Sequence, residues 1–225
     1  MADSDTEDVP TLPADTLAIL QQFQLEQQEK LKKLEETVQN PSGEKGDIEI
    51  EEDWQLSQFW YDDATANALA EEALRCVENK GRIALISCPT LYRPLVKLKS
   101  AECVVKLLEF DKRFSVYGDN FVFYDYNSPL ELPADLSKSF DLVIADPPFL
   151  SEECLSKVAI TIELLKKEKV ILCTGAVMQK LAEDLLQLKK SKFTPHHKNN
   201  LGNEFSCYSN YDMDSSMNVQ ATAQP

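Results

Sequence analysis

Four consecutive residues, Asp146, Pro147, Pro148 and Phe149, close an apolar run that reads FDLVIADPPF over residues 140–149. Proline has no backbone N–H, so a Pro-Pro step fixes the backbone and leaves nearby carbonyls without a local donor to compete for them. The Asp146 carboxylate and the Pro147 carbonyl can then present two acceptors at a rigid spacing. Such a pair suits a group with two N–H bonds, an amine about to act as a nucleophile, and Phe149 offers a flat wall beside it. The alternative is a strand-to-helix turn chosen only for stiffness, with Ser151 as the helix cap.

Three further acids follow apolar runs at 104–109 and 121–124, namely Glu109 and Asp111 after the first and Asp125 after the second. In an open α/β sheet, ligands bind beyond the carboxyl ends of the strands. An acid after the second strand can accept both hydroxyls of a ribose, and one after the third can take an adenine amine. The competing reading makes Glu109 and Asp111 ordinary turn acids paired with Lys112 and Arg113. Upstream, Gln58, Phe59, Trp60 and Tyr61 spell QFWY ahead of a helical pattern, either as walls around an alkyl chain and a cation or as a hydrophobic staple. His196 and His197 are read as surface residues.

The elements that must position these groups alternate in type. Residues 63–77 place Ala64, Ala68, Leu69, Ala73 and Val77 on one helical face. Buried strands are predicted at 82–87, 104–109, 121–124, 141–145, 169–174 and 205–211, with helices at 90–99, after Ser151, and at 176–189. Glu152 and Glu153 fall in the first turn after Ser151, beside the positive helix end. Each strand is a continuous apolar run rather than an alternating one, which predicts a mostly parallel sheet covered by helices on both faces.

Outside 54–212 the pattern differs. The sequence predicts a disordered acidic tail at 1–12, a helix at 13–39 with an interrupted heptad seam, an acidic linker at 40–53, and a disordered tail at 213–225. The net charge is −15 over 225 residues, and residues 1–53 alone hold 15 Asp and Glu against 4 Lys and Arg. Nucleic-acid binding usually needs clustered basic residues to displace counterions, and only short groups at 166–169 and 189–192 exist. A nucleic-acid partner is therefore disfavoured. Six cysteines without a C-x-x-C pair predict reduced core thiols and no metal site. No apolar run approaches membrane-spanning length, so the expectation is a soluble, cytoplasmic protein acting as a monomer.

DPPF after a fourth strand resembles the (D/N)PP(Y/F/W) signature of amino-directed, S-adenosylmethionine-dependent methyltransferases with a seven-stranded Rossmann-like fold. More narrowly, WQLSQFWY at 54–61, EFDKRF at 109–114, FYDYN at 123–127, ADPPFLSEECL at 145–155, ILCTGA at 171–176 and NEFSCY at 203–208 together resemble the eukaryotic elongation factor 1-alpha lysine methyltransferase 1 family. That family was once grouped as probable N6-adenine methyltransferases. The resemblance implies a class I fold and methyl transfer from S-adenosylmethionine to a lysine of elongation factor 1-alpha, with no metal. It implies cofactor contacts from Ser87, Pro89, Glu109, Asp111, Asp125 and Tyr126, and catalysis at Asp146 through Phe149. Substrate contacts would come from Gln58, Phe59, Trp60, Tyr61, Asn203, Glu204 and Phe205. One departure stands out: the loop after the first strand is SCPTLY, and no glycine occurs between Arg82 and Gly118. Adenine-N6 methylation and a non-catalytic binding subunit remain as alternatives.

Overall fold

The structure, a computed structural model, describes residues 50–199 and 201–217. The expected tail, the helix at 13–39 and most of the acidic linker lie outside the described residues. Seven strands form one sheet in the order β3-β2-β1-β4-β5-β7-β6. They are β1 (Arg82–Ile86), β2 (Val104–Glu109), β3 (Phe121–Phe123), β4 (Phe140–Ala145), β5 (Lys166–Gly175), β6 (Lys189–Lys190) and β7 (Phe205–Ser209). The first five run parallel, and β7 is antiparallel to both β5 and β6. This is the Rossmann-like class I methyltransferase architecture.

Helices α1 (Asp63–Cys76) and α2 (Tyr92–Leu98) are followed by α3 (Glu152–Leu165), α4 (Gln179–Leu186) and the short α5 (Met213–Ser216). Ile83 and Leu85 of β1 join Leu69, Ala73 and Leu95 in one core cluster, while Ala84 and Ile86 join Val158, Ile162 and Ala182 in the other. Alternate side chains of a single strand thus bury against opposite helical layers, which is why the strands read as unbroken apolar runs. Asp62 caps α1 by accepting from the Thr65 N–H at 2.7 Å, and the Ser151 hydroxyl caps α3 by accepting from Cys154 at 3.2 Å. All six cysteines are free and buried.

Some boundaries differ from expectation. The 176–189 segment splits into a tight turn at Ala176–Met178, α4, and the two-residue strand β6. Structured residues also lie beyond both predicted edges of the domain. Glu52, assigned to the linker, accepts from the Trp60 N–H at 2.6 Å, and Ile50 accepts from the Trp60 indole at 3.1 Å. At the other end the predicted disordered tail begins with α5, whose Met213 is buried in the core. Buried partners supplied from elsewhere in the chain order these short, polar-flanked segments.

Candidate active site

Asp146 follows β4 directly, and its N–H donates to the Ile86 carbonyl of β1 at 3.0 Å. The carboxylate therefore sits above the junction where strand order turns from β1 to β4, the crevice that open α/β sheets use for ligands. A cleft of about 610 Å3 opens there. Its walls include Gln58, Phe59, Trp60, Ser87, Pro89, Glu109, Asp125, Tyr126, Asp146, Pro147, Pro148, Phe149, Asn203 and Phe205. Segments distant in sequence thus meet around one space.

Three expected residues are placed otherwise. Asp111 does not line the cleft: its buried carboxylate accepts from the Gln58 amide at 3.0 Å and from the Arg113 guanidinium at 2.7–2.8 Å. Arg113 also donates to Gln58 Oε1 at 3.0 Å. The resulting knot ties the QFWY segment to the end of β2, so Asp111 positions Gln58, Phe59 and Trp60 rather than facing a ligand. Glu204 lines a neighbouring cleft. Tyr61 is buried behind the wall, where its hydroxyl donates to Asp146 Oδ2 at 2.6 Å.

The electrostatics of the site follow from burial. Asp146 opens onto the cleft but is otherwise packed in protein, and desolvation pushes its carboxyl up to about 7; the Tyr61 hydroxyl counteracts this, and the nearby Glu109 charge adds to it. Glu109 is only 6% exposed, and burial likewise drives its carboxyl to about 7. Glu109 Oε1 accepts from the backbone N–H groups of Phe110 and Asp111 at 3.0 and 3.2 Å, leaving Oε2 for the cleft. Asp125 Oδ1 accepts from the Asn127 N–H at 2.8 Å, and the Tyr126 ring meets Phe149 edge-on at 5.8 Å.

Two features were not anticipated from the sequence. His197 was read as a surface residue, yet it lines the cleft with its ring 5.1 Å from Tyr61 and 4.5 Å from Phe205. Burial depresses its basicity below the usual histidine value. The placement comes from backbone stitching: Asp62 N–H donates to the His196 carbonyl at 2.9 Å and Lys198 N–H to the Trp60 carbonyl at 2.8 Å. In the SCPT loop, Ser87 adopts φ 53°, the left-handed conformation usually left to glycine. It turns the chain sharply at the end of β1 without the glycine whose absence marked this loop as a departure.

Residues 52–213 match the family described as "Probable N6-adenine methyltransferase". The chain belongs to this family. It is 52% identical to the EEF1A lysine methyltransferase 1 of Gallus gallus over 93% of this chain and 97% of that protein. It is 49% identical to the Mus musculus protein of the same name, covering 94% and 97%, and 47% identical to that of Homo sapiens, again covering 94% and 97%. The family match thus spans nearly all of the described residues.

The cleft also fits the cofactor such a fold implies. Its volume lies within the range of small-molecule sites. Glu109 keeps one carboxylate oxygen off the backbone N–H groups, an acceptor that would suit ribose hydroxyls, and among the described residues the cleft is lined by Glu109, Asp125 and Asp146 with no Lys or Arg. Acids without a counter-cation suit a ligand carrying a sulfonium and an ammonium group. Among the described residues no cluster of His, Cys, Asp and Glu is arranged to hold a metal, and no helix is long and apolar enough to cross a membrane.

Proposed function

We propose that this protein is a protein-lysine N-methyltransferase that uses S-adenosylmethionine to methylate a lysine ε-amine of elongation factor 1-alpha. The observation that carries this reading is the charge of the cleft: among the described residues three carboxylates line it, no Lys or Arg does, and burial holds down the basicity of its one histidine, His197. A lysine side chain is attracted into such a site, whereas a nucleic-acid backbone is repelled. The names of the relatives, EEF1A lysine methyltransferase 1, support the same substrate.

S-adenosylmethionine, when bound, supplies an electrophilic methyl group on a cationic sulfonium. The chain's own residues hold and prepare the amine. Tyr61 occupies Asp146 Oδ2, which directs Oδ1 to the incoming ammonium. Phe149, Phe59 and Trp60 flank the alkyl stem and exclude water, and close positioning of this kind lowers the barrier to in-line displacement. A free lysine amine has a reference pKa of about 10.4, so only on the order of 0.1% is neutral near pH 7. Asp146, raised to about 7, has the proton affinity of an effective acceptor in neutral solution. The protein is taken to act as a monomer, and a translation factor as substrate supports a cytoplasmic location.

The test is to incubate the protein and an Asp146→Ala variant with tritiated S-adenosylmethionine and either elongation factor 1-alpha or adenine-containing DNA and RNA. Label on the protein substrate that disappears in the variant is expected. Label confined to nucleic acid overturns the proposal in favour of adenine methylation, and no label on any substrate overturns it in favour of a binding role.

A further inference from the structure

A gap in the sheet beside β7 opens into a second cleft next to the active site. The ladder between β6 and β7 pairs Lys190 with Tyr208 and Lys189 with Ser209, and Ser191 extends it by donating its N–H to the Cys207 carbonyl at 2.8 Å. Two residues further in the same register Phe193 would stand opposite Phe205. The chain leaves the ladder there instead. The Asp214 carboxylate accepts from the Ser191 hydroxyl at 2.5 Å and from the Lys192 N–H at 2.8 Å, while the Phe193 N–H turns back onto Ser191 Oγ at 3.0 Å.

The consequence for Phe205 follows from strand geometry. On the β5 side, Ala176 donates to the Glu204 carbonyl at 2.8 Å, so Glu204 and Ser206 direct their backbone groups toward β5. In an antiparallel ladder the intervening residue directs its N–H and C=O the opposite way. Phe205 therefore aims both groups at the gap where Phe193 would have been. That gap belongs to a polar cleft of about 440 Å3. The cleft shares His197, Leu201, Asn203 and Phe205 with the wall of the catalytic cleft.

We infer that this gap is the docking site for the main chain of the substrate segment that carries the acceptor lysine, which adds as a short strand against Phe205. The inference rests on the lysine-methyltransferase reading above and names how that substrate is held. Strand addition satisfies a sheet edge with backbone hydrogen bonds and leaves specificity to flanking side chains. The occupant is argued from continuity: a segment paired with Phe205 lies on one side of a wall formed by His197 and Phe205, and the catalytic cleft lies on the other. Glu204 and Lys190, both on the second cleft, bring opposite charges that can read residues flanking the lysine. This mode asks for an extended stretch in the substrate and tolerates variation in its sequence.

Two measurements on the full-length protein test it. Amide hydrogen exchange at Phe205 is compared without and with elongation factor 1-alpha in the presence of S-adenosylhomocysteine; protection of the Phe205 amide on substrate addition is expected, with the Ser206 amide protected throughout. Separately, Thr194→Trp adds a bulky side chain to the lining of the second cleft to fill the gap. Losing the backbone bonds should raise the KM for the protein substrate roughly tenfold, with S-adenosylhomocysteine affinity by calorimetry and thermal midpoint near wild type, and Thr194→Ser should behave as wild type. Methylation of elongation factor 1-alpha with the Phe205 amide unprotected and a wild-type KM in Thr194→Trp overturns the docking mode while leaving the lysine-methyltransferase reading intact. Absence of methylation by the wild-type protein overturns both. Concentration-dependent protection of Phe205 without substrate assigns the edge to a second copy of the chain and also overturns the proposal.

Discussion

Replacing Glu109 by Gln separates what this buried acid does for a ligand from what it costs the fold. Gln can keep its carbonyl oxygen on the Phe110 and Asp111 N–H groups, so the loop is preserved and only the charge facing the cleft is lost. Carrying the carboxyl from an ordinary 4.5 to about 7 corresponds to about 3 kcal/mol of folding free energy as an upper bound. The sign follows from the direction. A folded value above the unfolded one favours the protonated form in the fold, so this contribution is fully present below about pH 4.5 and is lost as pH rises through about 7. Cofactor-free Glu109→Gln should therefore melt above wild type at pH 8, by up to roughly 6–12 °C at about 2–4 °C per kcal/mol for a domain of this size. The difference should shrink toward pH 5. Binding should move oppositely: hydrogen bonds to a charged acceptor contribute about 1.5–3 kcal/mol, so S-adenosylhomocysteine should bind roughly 10- to 150-fold more weakly. Wild-type affinity should also rise with pH through about 7, and the variant's should rise less steeply, by the part that Asp146 contributes. Differential scanning fluorimetry and titration calorimetry across pH 5–8.5 measure both. A variant that binds within twofold of wild type, or that is less stable at pH 8, refutes the reasoning.

Tyr61→Phe removes the hydroxyl that holds Asp146 Oδ2 at 2.6 Å and opposes the rise of its proton affinity. The kcat/KM at pH 7 should fall about tenfold, and the acidic limb of its pH profile should move to higher pH; an unshifted limb counts against the role given to Asp146. Gly81→Ala places a Cβ 2.8 Å from both Val77 Cβ and Asp141 Oδ2, contacts that cannot persist. It should destabilise the domain by about 1–3 kcal/mol in urea denaturation, with cofactor affinity unchanged because the site lies at the other end of β1. Glu72→Ala empties a buried acceptor of the Tyr211 and Ser216 hydroxyls at 2.8 and 2.7 Å and leaves Arg75 without its partner. A loss of about 3 kcal/mol is expected, read as a lower denaturation midpoint with kcat retained in the folded fraction.

Signals confined to a few neighbouring residues were legible in the amino-acid order. The apolar runs marked every strand but one, with β2 placed at 104–109 as the structure has it, because a strand buried on both faces leaves a local pattern; β3, expected to be buried, is a half-exposed edge strand that was read from its apolar residues alone. The Ser151 cap and the acids after β2, β3 and β4 were legible for the same reason. The missing strand, β6, has two lysines exposed on an edge, and a ladder that short has no pattern of its own. DPPF could be read as an amine-binding corner because the chemistry of Asp and Pro-Pro is contained within the tetrapeptide.

Tertiary structure alone decided how those parts meet. Asp146 and Tyr61 lie 85 residues apart and share a hydrogen bond that selects which carboxylate oxygen faces the cleft. Asp111, two residues after Glu109, was drawn out of the site because Gln58 and Arg113 satisfy it first. His197 entered the wall because two backbone hydrogen bonds stitch its loop to residues 60–62, and Phe205 faces a gap because Asp214 pulls Ser191 and Lys192 aside. Periodicity and turn chemistry act over a few residues and leave their mark in the chain. The partner of a buried polar group is fixed by where distant segments cross, and no local spacing records it.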